Sequence, residues 1–186
     1  LQKEAMLFGT RDAWWYVQQH ILGFSEKGIQ GASFYSAKNP PFGAVFTYYL
    51  KDGYKTKAAI RKKNEKELTK EKKPIQFPGW DAVEAERNEL KPSVWIVVKN
   101  SEGKVIRKVM GSASKGFHRI SWDLRYPSPG AIKLSDKLPN LKKLPGGFLV
   151  APGTYTATLY KQVDGKTELL SGPVNFNVVP LTKGYL

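Results

Sequence analysis

Ser114-Lys-Gly-Phe-His-Arg-Ile-Ser-Trp-Asp-Leu124 opens on a glycine turn and continues as an alternating stretch, with Ile120, Trp122 and Leu124 on one side and Arg119, Ser121 and Asp123 on the other. Apolar residues at every second position mark a strand with one face in a core, because successive side chains leave a strand on opposite faces. Ala151-Pro-Gly-Thr-Tyr-Thr-Ala-Thr-Leu159 repeats the pattern: Tyr155, Ala157 and Leu159 share the apolar side, while Thr154, Thr156 and Thr158 share the polar one. The two stretches predict two strands that send aromatic anchors into a common core. Trp122 is expected as a core anchor, and Tyr155 as a buried ring whose hydroxyl reaches a backbone partner. Asp123, just past the anchored indole, is expected to accept backbone N–H bonds and set where the following loop begins. The outward residues do not make a catalytic constellation.

Working outward, the same period recurs. Val94-Trp-Ile-Val-Val98 leads through Asn100-Ser-Glu-Gly-Lys104, a hairpin turn, into a strand over 105–110. Val163-Asp-Gly-Lys166 is a second hairpin turn, followed by strands over 166–170 and 174–178, the latter with Val174, Phe176 and Val178 inward and Asn175 and Asn177 outward. Asn39-Pro-Pro-Phe-Gly43 is a rigid lead-in to a strand over 43–50. Both faces of that strand are fairly apolar, so both need cover, one from the core and the other from the N-terminal arm or the helices that follow. The proline- and glycine-rich stretch 127–152 reads as a crossover between two sheets. The predicted fold is mainly β, an immunoglobulin/fibronectin III-like antiparallel β-sandwich of about seven strands over 43–180, with a tail at 181–186.

Residues 54–91 are predicted to interrupt this sandwich as a helical hairpin, an insertion that loop-closure entropy penalises only mildly. The first part, to Lys72, is charged nearly all round, with only Ala58, Ala59, Ile60 and Leu68 as apolar material. Pro74-Ile-Gln-Phe-Pro-Gly79 breaks it, and a second helix is expected to start with Asp81 as N-cap and Glu84 in its first turn. Trp80, between the two, is a candidate exposed contact, with packing of the hairpin onto the sheet as the alternative. The chain carries a formal charge of +14, and the segment 55–73 holds nine Lys/Arg against three Glu. Such a run is read first as a solvated helix face; Lys62, Lys63, Lys70, Lys72 and Lys73 are the candidate contacts if it meets a polyanion. Stacking aromatics do not interleave with it, so no specific nucleic-acid partner is expected.

Residues 1–42 read as an arm or a linker from a preceding domain: strongly apolar at Trp14, Trp15 and Tyr16, broken by Gly23, Gly28 and Gly31, and without a clear period. Its aromatics are expected either to pack or to form a sugar-stacking platform. The absence of cysteine excludes disulfides and thiolate chemistry, and no apolar run is long enough for a membrane-spanning helix. Leu1 stands where an initiator Met would, which suggests processing or a fragment, and no signal peptide is visible. His20 and His118 are too far apart in sequence, without clustered acids, to suggest a metal site. Asp123 and Glu84 have no feature of a glycosidase pair. Ser112 and Ser114 near His118 lack the elbow motif of an activated nucleophile, and Gly111-Ser-Ala-Ser-Lys-Gly116 lacks phosphate-loop spacing. No catalytic, cofactor or metal residue is predicted.

The ordered succession of the stretches from Val94 to Lys108, from Gly116 to Arg125 and from Ala151 to Ala157 resembles Ig-like modules of the flagellar hook-cap protein and of many bacterial exported proteins. Over 34–180, Asn39-Pro-Pro-Phe-Gly-Ala-Val-Phe-Thr-Tyr-Tyr-Leu50, the Lys-rich insertion and Trp122-Asp-Leu-Arg-Tyr-Pro127 resemble the C-terminal region of bacterial sortilin-like, BNR-repeat β-propeller proteins, often labelled glycosyl hydrolases. The resemblance implies a non-catalytic accessory module that follows and supports a β-propeller in an exported protein, periplasmic, envelope-bound or extracellular, with residues 1–33 as the linking segment. Any hydrolase activity would belong to the propeller. The alternatives are a carbohydrate-binding accessory module using Trp14, Trp15 and Trp80, and a basic adhesion module for a polyanion or cell-envelope component.

Overall fold

The computed structural model describes residues 3–18, 37, 39–131 and 146–181. The chain is mainly β. Its strands are β1 (Ala5–Leu7), β2 (Ala13–Trp15), β3 (Ala44–Leu50), β4 (Ser93–Asn100), β5 (Val105–Gly111), β6 (Gly116–Trp122), β7 (Arg125–Pro127), β8 (Gly146–Leu149), β9 (Gly153–Val163) and β10 (Lys166–Pro180). Two helices, α1 (Lys57–Lys70) and α2 (Trp80–Arg87), follow β3. Among the described residues, no helix is long and apolar enough to cross a membrane.

One sheet has the order β1-β3-β6, a second β2-β10-β9-β4-β5, and β7 pairs with β8 as a separate ribbon. The first two share one core. The strand β3 alternates strictly, with Ala44, Phe46, Tyr48 and Leu50 fully buried and Val45, Thr47 and Tyr49 partly covered. Opposite it, Val94, Ile96, Val98, Ala157, Leu159, Phe176 and Val178 are buried from the second sheet. Aromatic rings lock the two together: Phe46 meets Phe176 edge-on at 5.4 Å, and Trp122 meets Tyr155 at 5.8 Å. Each such buried side chain contributes on the order of 1.5–3 kcal/mol through removal from water.

The strands exceed the expected seven for identifiable reasons. Residues 3–18, read as an arm, supply β1 to one sheet, antiparallel to β3, and β2 to the other, parallel to β10. Ala5, Leu7 and Ala13 enter the core. A three-residue strand is too short to show a period, and so the sequence pattern was silent there. The expected crossover at 127–152 contains instead the β8 half of the β7–β8 ribbon; residues 132–145 lie outside the described set. The two last predicted strands are one, since β10 pairs with β9 from Lys166 to Val178, with register shifts between Leu169 and Val174. Leu124 is buried as expected but does not continue β6: its φ of 55° turns the chain, and its carbonyl accepts from Val150 N–H at 2.8 Å.

The outer side of β3 is only partly covered, by a lateral cluster with Phe117 of β6 that Phe8 of the arm joins. Tyr49 packs on Phe117 at 4.9 Å and Phe8 stacks on Phe117 at 6.0 Å. Neither helix has a buried residue. A charged shell also ties the arm down: Lys161 Nζ donates to Glu4 Oε1 at 2.9 Å and lies 3.2 Å from Glu168 Oε2, and Tyr54 Oη donates to Glu4 Oε1 at 3.0 Å. The Lys161 and Tyr54 hydrogen bonds hold the Glu4 carboxyl below its ordinary value, and Glu4 holds Lys161 above its own. Burial and the same carboxylate push Tyr54 up to about 12. Because the folded Glu4 value is depressed, its contribution is full above the ordinary carboxylate range and is lost as pH falls through the folded value. Wild type should therefore melt slightly above Glu4→Gln at neutral pH, by about 0.2–1 kcal/mol for so exposed a pair. That difference should vanish in thermal melts taken below the carboxylate range.

Candidate functional site

The helical insertion is the most solvent-exposed ordered element, and its sequence explains why. A helix charged on every side has no apolar stripe to bury, so α1 stands off the sheets. Thr56 caps it by accepting from Ala59 N–H at 3.2 Å. The second helix starts one residue earlier than expected: Gly79, at φ 92°, occupies the cap position, Trp80 opens the helix, and Asp81 falls in its first turn. Asp81 is thus not the N-cap. The glycine takes up the turn that an L residue would resist, which moves the boundary.

Ion pairs rather than packing join the helices. Arg61 grips Glu86 with two hydrogen bonds, Nε at 2.7 Å and a terminal nitrogen at 2.8 Å, and reaches Glu65 at 2.6 Å. The guanidinium holds the Glu86 carboxyl below its ordinary value, and the two carboxylates raise Arg61. The Lys57 N–H donates to Glu89 Oε2 at 2.7 Å, and Lys57 Nζ lies 3.3 Å from Asp164 in the β9–β10 turn. A bidentate pairing of this type fixes orientation as well as distance.

What this frame presents is apolar. Ile60, Ile75, Phe77 and Trp80 are exposed, Trp80 to 78%, and the Phe77 and Trp80 rings meet edge-on at 5.1 Å. A groove of about 500 Å³ runs between α1 and the 74–78 segment, floored by Ile60, Leu68, Pro74 and Ile75. Of the two expectations for Trp80, the exposed one describes its position. The candidate lysines Lys62, Lys63, Lys70, Lys72 and Lys73 are all exposed; Lys63 pairs with Glu67 at 3.4 Å and Lys73 with Glu71 at 2.7 Å.

The other candidate residues lie elsewhere. Strand alternation divides the aromatic triplet of the arm: Trp15 turns inward and donates its indole N–H to the Val150 carbonyl at 2.7 Å, whereas Trp14 is 56% exposed. Tyr16 meets Phe42 edge-on at 5.0 Å. Trp14, Trp15 and Tyr16 do not share one face. Trp122 is buried and donates to the Arg125 carbonyl at 3.0 Å; Asp123 Oδ1 accepts from Arg125 N–H at 3.3 Å where the chain turns at Leu124. Tyr155 Oη donates to the Ala151 carbonyl at 2.7 Å, and burial raises its pKa.

Ser112, Ser114 and His118 do come together, with the serine hydroxyls 2.8 Å apart and His118 Nε2 at 3.5 Å from Ser114 Oγ. The same nitrogen lies 2.6 Å from the Ser114 carbonyl, which only accepts, so Nε2 carries a proton and is not poised to take one from serine. Asp123 and Glu84 lie on different elements, at the end of β6 and within α2. His20 falls outside the described residues, among which no three His, Asp or Glu gather as a metal site. Sequence reasoning missed one surface, the outer face of the second sheet around Trp95; the parity that sends Val94, Ile96 and Val98 inward was the available signal.

The class these features define is a mainly β chain of two core-sharing sheets and a two-stranded ribbon, carrying a charged helical hairpin with exposed aromatics. Compared with known proteins, it matches no family model, no curated protein and no solved structure.

Proposed function

We propose that this chain is a non-catalytic interaction module, immunoglobulin/fibronectin III-like in kind, that follows and supports a β-propeller in an exported bacterial protein, with the helical hairpin as its contact surface. The observation that carries this is the Phe77–Trp80 pair held in solvent beside Ile60 and Ile75, on helices that bury nothing of their own. Apolar side chains clustered on a projecting element mark a surface that another protein covers, and a tryptophan at its centre is the residue type that dominates such contacts. The Arg61–Glu86 clamp holds the surface in shape before contact, which lowers the ordering cost of association. The resemblance of 34–180 to propeller-associated modules supplies the partner.

An immunoblot of fractionated source cells tests the context: a band far above 20.9 kDa in an envelope or secreted fraction is expected. A band near that mass, without processing, overturns the propeller reading. In the full-length protein, a photo-crosslinker in place of the exposed Ile75 should join the hairpin to the propeller segment, and adding Phe77→Ser with Trp80→Ser should lower that yield by roughly tenfold or more. Crosslinks confined to the sandwich would overturn the hairpin as the contact.

A further inference from the structure

We infer that the outer face of the five-stranded sheet is a binding cleft for an anionic, uronate-bearing glycan. No residue of the helical hairpin lines it, so this site stands apart from the proposed contact surface. Trp95, Val97 and Lys99 from β4, Val105 and Lys108 from β5, and Tyr160, Gln162 and Thr167 from β9 and β10 line a cleft of about 450 Å³, within the range of small-ligand sites. The register sets its layout. Trp95 lies directly opposite Tyr160 on β9, Lys108 opposite Val97, and Lys99 opposite Val105. Two aromatic side chains therefore sit side by side at one end, and two ammonium groups follow along β4 and β5 at steps of about 7 Å, two residues of strand rise.

Three features select the ligand class. The Trp95 indole is fixed, since its N–H donates to the buried Ser93 Oγ at 2.8 Å and that hydroxyl reaches Gln162 Oε1 at 3.5 Å. With its only polar atom used, the ring can offer a ligand only its apolar faces, which suit the C–H side of a pyranose. Second, the lining contains two lysines and no Asp or Glu, and neither Lys99 nor Lys108 pairs with a carboxylate among the described residues, so the complementary charge is negative. Third, Gln162, Thr167 and the Tyr160 hydroxyl supply neutral donors and acceptors for hydroxyl groups. Aromatic faces, polar edges and two cations together match a chain of uronic acid rings. A nucleic acid strand would call for a longer cationic track.

The test uses the full 186-residue chain and isothermal titration with hexagalacturonate, with cellohexaose as the neutral probe and a single-stranded DNA oligonucleotide as the alternative polyanion. Hexagalacturonate should bind more tightly than cellohexaose, and less so as salt is raised. Trp95→Ala and the exposed-site variant Lys108→Glu should each weaken it by roughly tenfold or more, while Trp80→Ala and Lys70→Glu leave it unchanged. If Trp95→Ala lowers the melting temperature sharply, Lys108→Glu and Tyr160→Ala decide. No binding of hexagalacturonate at millimolar concentration overturns the inference, including the case in which a segment of the chain itself fills the cleft. Binding lost with Lys70→Glu but not Lys108→Glu, or equal DNA binding indifferent to Trp95, overturns it equally.

Discussion

Replacing Trp122 by alanine should cost about 3–5 kcal/mol, the range for truncating a large buried aromatic. For a chain of this size that corresponds to a fall of roughly 6–20 °C in melting temperature. The indole is 1% exposed and touches Tyr155 and Phe176, both from the facing sheet. Its removal thus opens a cavity between the sheets rather than at an edge. It also deprives the Arg125 carbonyl of its donor where the chain leaves β6, adding an unsatisfied acceptor to the cavity. Trp14→Ala is the control: that side chain is 56% exposed, and its loss should stay within about 0.5 kcal/mol. Urea melts of the two variants, with near-ultraviolet circular dichroism to report aromatic packing, give the answer. Equal costs would mean that Trp122 does not anchor the core.

Gly43→Ala should be at least as damaging, on the order of 4 kcal/mol, although it only adds a methyl group. Gly43 has a φ of 95°, and a Cβ there would collide with the carbonyl oxygen of Trp122. That oxygen belongs to backbone at the first registered pair of β3 with β6, Ala44 opposite Trp122, so it cannot move aside as a side-chain tip could. Gly79→Ala separates the two contributions: Gly79 has nearly the same φ, 92°, but nothing within 4 Å of an added Cβ. It should cost only the conformational strain, about 1–2 kcal/mol. Matching losses for the two glycines would exclude the backbone clash as the cause. The proline pair before Gly43 fits this geometry, since it brings the chain in extended and leaves the glycine to make the turn.

How much was legible in the sequence depended on how long each element keeps its period. The strand β3 shows alternation over seven residues, and the Trp122 and Tyr155 strands nearly as clearly; the residues named from them lie in the core, except Ile120, which is partly buried against it. Thr158 is a telling exception. Parity places it outward, yet it is 6% exposed; it sits on β9 in the interior of the five-stranded sheet, directly opposite the buried Val97 of β4. Burial on a sheet face depends on cross-strand neighbours that the local sequence does not name. For the same reason the cleft at Trp95 escaped a linear reading: Trp95, Lys108 and Gln162 become neighbours only through pairing of β4 with β5 and β9.

By itself the sequence determined the mainly β character, the approximate positions of β3, β4, β5, β6 and β9, the Asn100–Lys104 and Asp164-Gly165 turns and the two charged helices after β3. Each of these follows from local physics: period-2 alternation, left-handed turn residues, and a helix with no apolar side. Tertiary structure alone decided that the arm would give one strand to each sheet, that Trp14 and Trp15 would face opposite ways, and that Arg61 would clamp the two helices with Phe77 and Trp80 left exposed. Those outcomes rest on free sheet edges, on register and on ion pairs such as Arg61 with Glu86, which join residues far apart in the chain and leave no periodic trace in it.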